Sequence, residues 1–313
     1  MTEQLKLKLN DSKATRWGAL VIVAFTMMAA YYVNDVVAPL KTMLETDLAW
    51  SSTDFGFFTG GYSFLNVFFL MLIWGGLILD RFGIRFTGKL ATILMVGGTA
   101  LEYYAMTGLA GADATLFGIN EIFGYKTGVF VAFAGYSIFG VGAEVAGITV
   151  SKIIAKWFKG KELATAMGVQ VALARIGSQA GYAVAIPLAR AFGISTPVLL
   201  GLVLLLGGMI AFFIFAVMDK KLDKQMEAAA IAAGTEDEEE KFSFKDVKNI
   251  LVNPGFWLIA LLCVLFYSCV FPFQKFASEL MIIKYGINEN VAGTFAGLPA
   301  LGALILTPVF GGF

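Results

Sequence analysis

The sequence predicts an all-α membrane protein in which a bundle of six spanning helices is followed by two further helices. Hydrophobic residues make up 58% of the 313 residues and charged residues only 15%. Soluble domains are about 45–50% apolar and about 25% charged. The apolar residues also occur in continuous runs of ~20 or more, the length at which a helix crosses the hydrocarbon core. The chain is therefore expected to lie in a bilayer.

Eight apolar runs are long enough to span. They cover residues 17–40, 55–79, 86–107, 127–154, 163–188, 196–218, 254–281 and 291–313. Most of the Lys and Arg residues fall in the loops that lie on the same side as the N-terminus when successive runs alternate in direction. Because cytoplasmic loops carry the excess of basic residues, the N-terminus is predicted to be cytoplasmic.

The segment 219–253 separates the sixth run from the seventh. It opens with a short Ala-rich helical piece and then carries five acidic residues at 236–240. Such a charge run is typical of a solvated linker, and a regulatory or partner-binding segment is the alternative. The predicted divisions are a tail (1–16), a six-helix bundle (17–218), a cytoplasmic linker (219–253) and the first two helices of a second bundle (254–313).

The two sides of this linker resemble each other loosely. Pro39 and Pro272 lie near the outer ends of the first and seventh runs, and both sides contain a Gly-Gly pair near the end of the following run. Parallel repeats of six helices are a transporter architecture. On this interpretation the sequence is a C-terminally truncated chain, and the alternative is a genuine eight-span protein.

Composition excludes several other classes of function. The formal net charge is zero, which disfavours a nucleic-acid partner. Histidine, the usual general base and a frequent metal ligand, is absent. Cys263 and Cys269 lie in one apolar run, which indicates no disulfide framework. Because no nucleotide, zinc or nucleophile motif occurs either, neither a metal, a cofactor nor an enzyme activity is predicted.

Asp35, Glu102, Glu144 and Arg175 are charged residues that lie within predicted spans. An ionised residue near the bilayer centre costs at least about 2.5–3.5 kcal/mol and is usually functional. At ~1.5 Å per residue, Glu144 and Arg175 both reach the midplane, where transporters bind substrate. A Glu suits an ammonium group and an Arg fork suits a carboxylate, so the pair is predicted to hold the two ends of a zwitterion. The alternative is a structural ion pair.

The loop after the second run carries the sharpest motif. Residues 76–85 read G-L-I-L-D-R-F-G-I-R, and this resembles the signature between the second and third helices of the major facilitator superfamily, except that Ile84 stands where a basic residue is usual. The resemblance implies the major facilitator fold and a conformational latch. The latch residues are Gly76, Asp80, Arg81, Gly83 and Arg85. A second superfamily pattern in the fourth run, linked with proton coupling, is incomplete because Tyr136 replaces its Arg.

Residues 157–163, 174–178, 270–273 and 31–35 resemble the lysosomal dipeptide uniporter branch of that superfamily. The resemblance implies a dipeptide substrate held between Glu144 and Arg175, and we expect Tyr31 and Asp35 to belong to the same site. It also implies an accessory membrane glycoprotein as a possible partner. The expected function is alternating-access transport of small zwitterionic solutes, by facilitated or secondary active transport. The alternatives are an organic-anion carrier that uses Arg175 alone and a non-transporting receptor or scaffold.

Three predicted spans contain G-x-x-x-G, a spacing that lets helices approach closely. The pairs are Gly56 and Gly60, Gly177 and Gly181, and Gly293 and Gly297. We expect them to close an outer gate, with generic helix packing as the alternative.

As for location, the single glycosylation sequon, at Asn10, falls on the predicted cytoplasmic side. This favours a bacterial plasma membrane, with a lysosomal membrane as the alternative.

Overall fold

The computed structural model describes residues 8–111, 114–233 and 250–311. Most of these residues are α-helical, so the predicted all-α class is confirmed. The helices are α1 (Lys13–Val36), α2 (Lys41–Asp47), α3 (Ser52–Phe68), α4 (Met71–Thr107), α5 (Thr127–Trp157), α6 (Leu163–Phe192), α7 (Thr196–Ala233), α8 (Pro254–Tyr285), α9 (Glu289–Ala296) and α10 (Leu298–Gly311). The acidic run at 236–240 lies outside the described residues.

The first helix starts and stops where its sequence directs. The Ser12 side chain caps α1 by accepting a hydrogen bond from the main-chain N–H of Thr15, a group that no helical carbonyl can reach. A 3₁₀ turn, Ala38–Leu40, follows the helix. Pro39 lies in this turn, since its missing N–H would disrupt a helix interior. The short helix α2 then covers the end of the bundle.

The second and third predicted spans differ from the structure at their boundaries. The second is interrupted at Leu70, which has left-handed backbone angles (φ 51°), and α3 and α4 are bent by 58° at this break. The loop predicted between the two spans is replaced by a kink within α4 at Gly83. Its φ of 74° and ψ of 172° are readily adopted only by glycine, so the helical hydrogen bonding resumes after one residue.

The sixth predicted span also extends further than expected. α7 continues without a break through Ala233, so the Ala-rich piece assigned to the linker is the end of this helix. The reason lies partly in Asp219, the first residue of the predicted linker. Its side chain is fully buried and binds residues of α4 and α5, which holds the helix against the bundle beyond residue 218.

The segment after the linker contains three helices instead of two. Pro254 at the first turn of α8 follows an Asn253 cap, a favourable helix start. The eighth predicted span, 291–313, is divided at Gly297 into α9 and α10. Each piece is too short to cross a bilayer alone.

The long loop 108–126 contains the two β-strands of the described chain. Glu121–Ile122 (β1) and Tyr125–Lys126 (β2) form an antiparallel hairpin. Phe123 and Gly124 at its tip both have positive φ, as a tight hairpin turn requires.

Length and apolar composition identify four described segments that could cross a membrane: 13–47, α5, the greater part of α7, and α8. The bent pair α3 and α4 would make a fifth. Although α6 is long enough, its polar residues Gln170, Arg175 and Gln179 lower its mean hydropathy. It is the helix on which the sequence placed the binding arginine.

The two segments, 13–233 and 254–311, meet at one end of the molecule. The "basic end" is the end at which α1 begins, marked by Arg16, Arg85, Lys156 and Lys161; the "opposite end" contains α2 and the start of α9. Each hydrogen bond and ion pair between the two segments, within the described chain, falls in the half nearer the opposite end. The first half of α8, by contrast, is largely exposed. The structure is therefore closed at the opposite end.

Candidate functional site

A cavity of ≈ 530 Å³ lies between α1, α3, α5 and α8. Its wall is mostly apolar and aromatic, and the charged side chains among its described lining residues are Glu144 and Lys275. One belongs to the first segment and the other to the second. A cavity of this size with a few polar groups is typical of a small-molecule binding site.

Glu144 is held on the cavity wall by a hydrogen bond from a neighbouring helix. The Tyr62 hydroxyl donates to its Oε1 atom at 2.8 Å. Gly56 and Gly60, which precede Tyr62 on the same helix α3, also line the cavity. A Cβ atom at either glycine would meet no atom within 4 Å, so these residues leave open space in front of the carboxylate.

Arg175 lies behind an aromatic ring and does not pair with Glu144. Its guanidinium is 5.6 Å from the centroid of the Tyr31 ring, within the range of a cation–π contact. Arg175 and Asp35 line a smaller space of ≈ 30 Å³, and Tyr31 lines both this space and the main cavity. Among the residues described, no hydrogen bond or ion pair joins Glu144 to Arg175. Tyr31 is therefore shared by the walls that carry the two predicted charges.

Asp35 belongs to a buried polar cluster at the end of α1. The side-chain amide of Asn34 donates to its Oδ1 atom at 2.9 Å. The Lys275 ammonium lies 3.9 Å from the same carboxylate and donates to the Asn34 carbonyl oxygen at 2.6 Å and to the Tyr136 hydroxyl at 3.1 Å. Tyr136, which occupies the place of the superfamily's arginine, donates to the same carbonyl at 2.7 Å.

Glu102, another charged residue within a predicted span, is fully buried. Neither of its carboxylate oxygens has a hydrogen-bond partner among the described residues. It lines neither of the two spaces described above. The structure therefore places Glu102 apart from the groups that line the cavity.

The predicted latch residues lie around the kink in α4. Asp80 pairs with Lys152 of α5 at 2.8 Å, and both side chains are about half exposed. The Arg81 guanidinium lies 5.5 Å from the Phe82 ring, and Gly83 forms the kink. A Cβ atom at Gly76 would meet no other atom within 4 Å.

Two features of this region were not anticipated. Gly75, next to the predicted latch residue Gly76, makes a close helix contact, since a Cβ atom there would lie 2.6 Å from a methyl group of Val145 on α5. Arg85 binds Asp223 at 2.6 Å and Asp219 at 3.4 Å, both on α7.

Asp219 is the centre of the charged network at the basic end. It accepts hydrogen bonds from Lys156 at 2.8 Å and from the indole N–H of Trp157 at 3.0 Å, and Lys156 also binds Asp223. The sequence placed both aspartates in the linker. The signal that could have found them is their i, i+4 spacing directly after an apolar run, which puts them on one face of a continuing helix.

A second charged network ties the N-terminus to the loop between α5 and α6. Arg16 binds Glu162 at 2.7 Å, and Lys161 binds Asp11 at 2.7 Å. The hydrogen bond from Arg16 lowers the pKa of Glu162 below its usual value, and that from Lys161 does the same to the pKa of Asp11.

The gate glycines divide into three pairs with different surroundings. Gly293 and Gly297 pack across the two segments, where a Cβ at Gly293 would overlap the Tyr182 carbonyl oxygen and one at Gly297 the Gln179 side chain. Gly177 and Gly181 pack against the main chain of α1, within the first segment. Gly56 and Gly60 face the cavity, as described above.

Ion pairs accompany the glycine contacts at the opposite end. Lys41, only 3% exposed, binds Glu45 at 2.7 Å and Glu279 of α8 at 2.5 Å. Arg190 of α6 binds Glu289 and, at 2.9 Å, the Asn290 side chain.

No group of three or more Cys, Asp or Glu residues that could hold a metal ion occurs in the described ranges.

Apolar helices around a mostly apolar cavity with isolated buried charges define an integral, multi-pass membrane protein of the transporter class. Residues 20–313 match the Major Facilitator Superfamily, and the chain belongs to this family. The predicted superfamily membership is thus confirmed.

Within this family, the chain is similar to curated relatives of one kind. The chain is 27% identical to the lysosomal dipeptide transporter MFSD1 of Homo sapiens, over 95% of this chain and 61% of that protein. It is 26% identical to MFSD1 of Pongo abelii, over 93% of this chain and 59% of that protein. With Gallus gallus MFSD1 the identity is 32% over 56% of this chain and 41% of that protein. The chain thus spans about three fifths or less of these relatives' length.

Proposed function

We propose that the chain moves small zwitterionic solutes, specifically dipeptides, across a membrane by alternating access. The observation that carries the proposal is the cavity wall, which presents the Glu144 carboxylate with the Arg175 guanidinium behind the shared Tyr31 ring. The name of the relatives supports a dipeptide as the ligand.

The chemistry of the two charged groups fits the two ends of a dipeptide. Glu144 already accepts one hydrogen bond from Tyr62, and its other oxygen can accept from a substrate ammonium group. Arg175 makes no ion pair among the residues described, so its planar fork can bind a carboxylate once Tyr31 turns aside. The ligand would then join Glu144 and Arg175 in one binding site. In the structure these two side chains do not contact each other.

We infer that the glycine pair at 293 and 297, with Lys41 and Arg190, forms the gate that is shut at the opposite end. The supporting observation is that each of these residues contacts the other segment. The latch at residues 76–85 lies at the basic end, which carries no such contact in the described chain. Its role in switching remains a proposal from the family resemblance.

The membrane and orientation follow from the same proposal. We propose that the basic end and the N-terminus lie on the cytoplasmic side, because basic residues concentrate at that end. The bacterial plasma membrane stays the favoured location. The alternative is the lysosomal membrane, because the name of the relatives describes them as lysosomal. The accessory glycoprotein also stays a prediction.

Uptake by proteoliposomes tests the proposed function. A radiolabelled neutral dipeptide should accumulate to the outside concentration, and Glu144→Gln and Arg175→Gln should each reduce uptake at least tenfold, since each removes a charge-assisted hydrogen bond. The matched controls are Glu121→Gln in the exposed hairpin and Lys159→Gln in an exposed loop, which should transport normally. Normal transport by Arg175→Gln would refute the proposal. Uptake of a monocarboxylate without dipeptide uptake would instead identify an organic-anion carrier.

A further inference from the structure

Lys275 is carried by α8 but its ammonium group lies inside the first segment. Its three nearest oxygen partners are the Asn34 carbonyl (2.6 Å), the Tyr136 hydroxyl (3.1 Å) and the Asp35 carboxylate (3.9 Å). The first two belong to α1 and α5, and the third to α1. The side chain is 15% exposed. A cation from one segment therefore fills a pocket built entirely by the other.

Each of these groups suits an ammonium ion. The Asn34 carbonyl is in the last turn of α1, where carbonyls lack helical partners and the helix dipole is negative. The Asp35 carboxylate adds a full negative charge. The ammonium also lies 5.6 Å from the centroid of the Tyr136 ring, a cation–π distance. The pocket thus offers a carbonyl, a hydroxyl, a carboxylate and a ring face to one cation.

The pocket does not depend on Lys275 for its geometry. The Tyr136 hydroxyl donates to the Asn34 carbonyl at 2.7 Å, and the Asn34 amide donates to Asp35 at 2.9 Å. Tyr136 itself is fully buried in the core of the first segment. These contacts stay within α1 and α5, so they would persist if α8 moved away.

We propose that Asn34, Asp35 and Tyr136 form an ammonium-binding site, which Lys275 occupies while the opposite end is closed. When α8 withdraws, the site accepts another primary ammonium group, such as the basic side chain of a substrate or a free alkylammonium ion. Asn34 and Lys275 both line the 530 Å³ cavity, which gives a ligand access to the site. The Lys275 ammonium group thus competes with other ammonium groups for this site.

Chemical rescue of the closed state tests the site without using dipeptide transport. The reporter is Thr294→Cys, which lies between the segments, in a background where Cys263→Ser and Cys269→Ser remove the native thiols. Lys275→Ala should speed labelling by an impermeant maleimide about tenfold, because it removes hydrogen bonds to a charged group. Methylammonium should then restore slow labelling by filling the vacated site.

Two matched variants separate site binding from a general salt effect. In Lys275→Met the side chain still fills the pocket but carries no charge, so methylammonium should not slow labelling. In Lys275→Ala with Asp35→Asn the site loses its carboxylate, and rescue should disappear. If Lys275→Ala does not fold, Lys275→Ser vacates the pocket equally. Absence of rescue in a folded vacated variant, or equal rescue in Lys275→Met, would overturn the proposal.

A selectivity measurement identifies the occupant of the site and rests on the proposed function. Uptake of a lysine-containing dipeptide is compared with that of its uncharged norleucine analogue. A rise of about tenfold in preference for lysine in Lys275→Ala would assign the site to a substrate side chain. Methylammonium rescue without this rise would assign it to Lys275 alone, as a gate residue. Absence of dipeptide uptake by the native protein, with methylammonium rescue intact, would contradict the dipeptide assignment but not the ammonium site.

Discussion

The hydroxyl of Tyr62 on α3 donates a 2.8 Å hydrogen bond to the carboxylate of Glu144 on α5. This bond fixes the carboxylate at the cavity wall while one of its oxygens stays available. Tyr62→Phe keeps the ring and removes the donor. We expect KM for a neutral dipeptide to rise about tenfold or more, because one hydrogen bond to a charged group contributes about 1.5–3 kcal/mol.

Uptake kinetics in proteoliposomes measure this change. Tyr285→Phe, which alters an exposed tyrosine outside the cavity, is the control. An unchanged KM in Tyr62→Phe would show that Glu144 does not need Tyr62 to bind the substrate.

Gly293→Ala should weaken closure of the opposite end. The added methyl group would overlap the Tyr182 carbonyl oxygen, a main-chain atom that cannot rotate away. Overpacking of this kind costs about 1–3 kcal/mol, which shifts the protein toward the open state. Faster maleimide labelling at Thr294→Cys measures the shift. Gly302→Ala on α10, where a Cβ meets nothing within 4 Å, should label at the normal rate.

Gly177→Ala should act on stability instead of gating. Its methyl group would overlap the Met28 carbonyl oxygen on α1, and both helices belong to the first segment. We expect a loss of about 1–3 kcal/mol of stability, seen as a lower melting temperature in detergent. Gly168→Ala on the same helix has free space and serves as the control. Faster labelling at Thr294→Cys without a change in melting temperature would instead support a role of Gly177 in the gate.

Asp219→Asn should destabilise the basic end strongly. The mutation weakens the hydrogen bonds that Lys156 and Arg85 make to a fully buried carboxylate, while both partly exposed cations keep Asp223 as a partner. A hydrogen bond to a charged group contributes about 1.5–3 kcal/mol, and we expect a loss of that size. Asp80→Asn breaks an exposed pair and should cost less than about 1 kcal/mol. Thermal unfolding of the two purified variants compares them. Equal melting temperatures would contradict the structural role of Asp219.

Acid should weaken the contacts at the N-terminus. The pKa of Glu162 is lowered by its hydrogen bond from Arg16, and that of Asp11 by its hydrogen bond from Lys161. A carboxylate with a lowered pKa stabilises the folded state above its unfolded pKa of about 4, and this contribution is lost as the pH falls through the folded value. The melting temperature should therefore fall below about pH 4 more steeply in the native protein than in Asp11→Asn with Glu162→Gln. Parallel pH profiles would exclude the contribution.

Much of the fold followed from apolar length and loop charge. The all-α class and the superfamily were both predicted, because runs of ~20 apolar residues and the segment 76–85 are local features of the sequence. The helix boundaries were less predictable. The break at Leu70 leaves no proline or glycine signal at that position, and the buried setting of Asp219 depends on Arg85 and Lys156, which are distant in sequence.

The candidate site was also predictable only in part. Depth along a helix was enough to nominate Glu144 and Arg175, but not to predict that Tyr31 would lie beside the arginine. The role of Lys275 was not predicted, since its distance along α8 gives no information about the segment its side chain enters. That direction is set by the packing of α8 against α1 and α5, a tertiary property.

The ion pairs of the two ends have different fates when the protein changes state. Within the described chain, the pairs that cross between the segments involve Lys41, Arg190 and Lys275, and opening of the opposite end must break all three. The pairs around Asp219 join helices of a single segment and need not break at any step. Substitutions at the basic end should accordingly alter how long the protein survives, whereas substitutions at these three cations should alter how fast it completes a cycle.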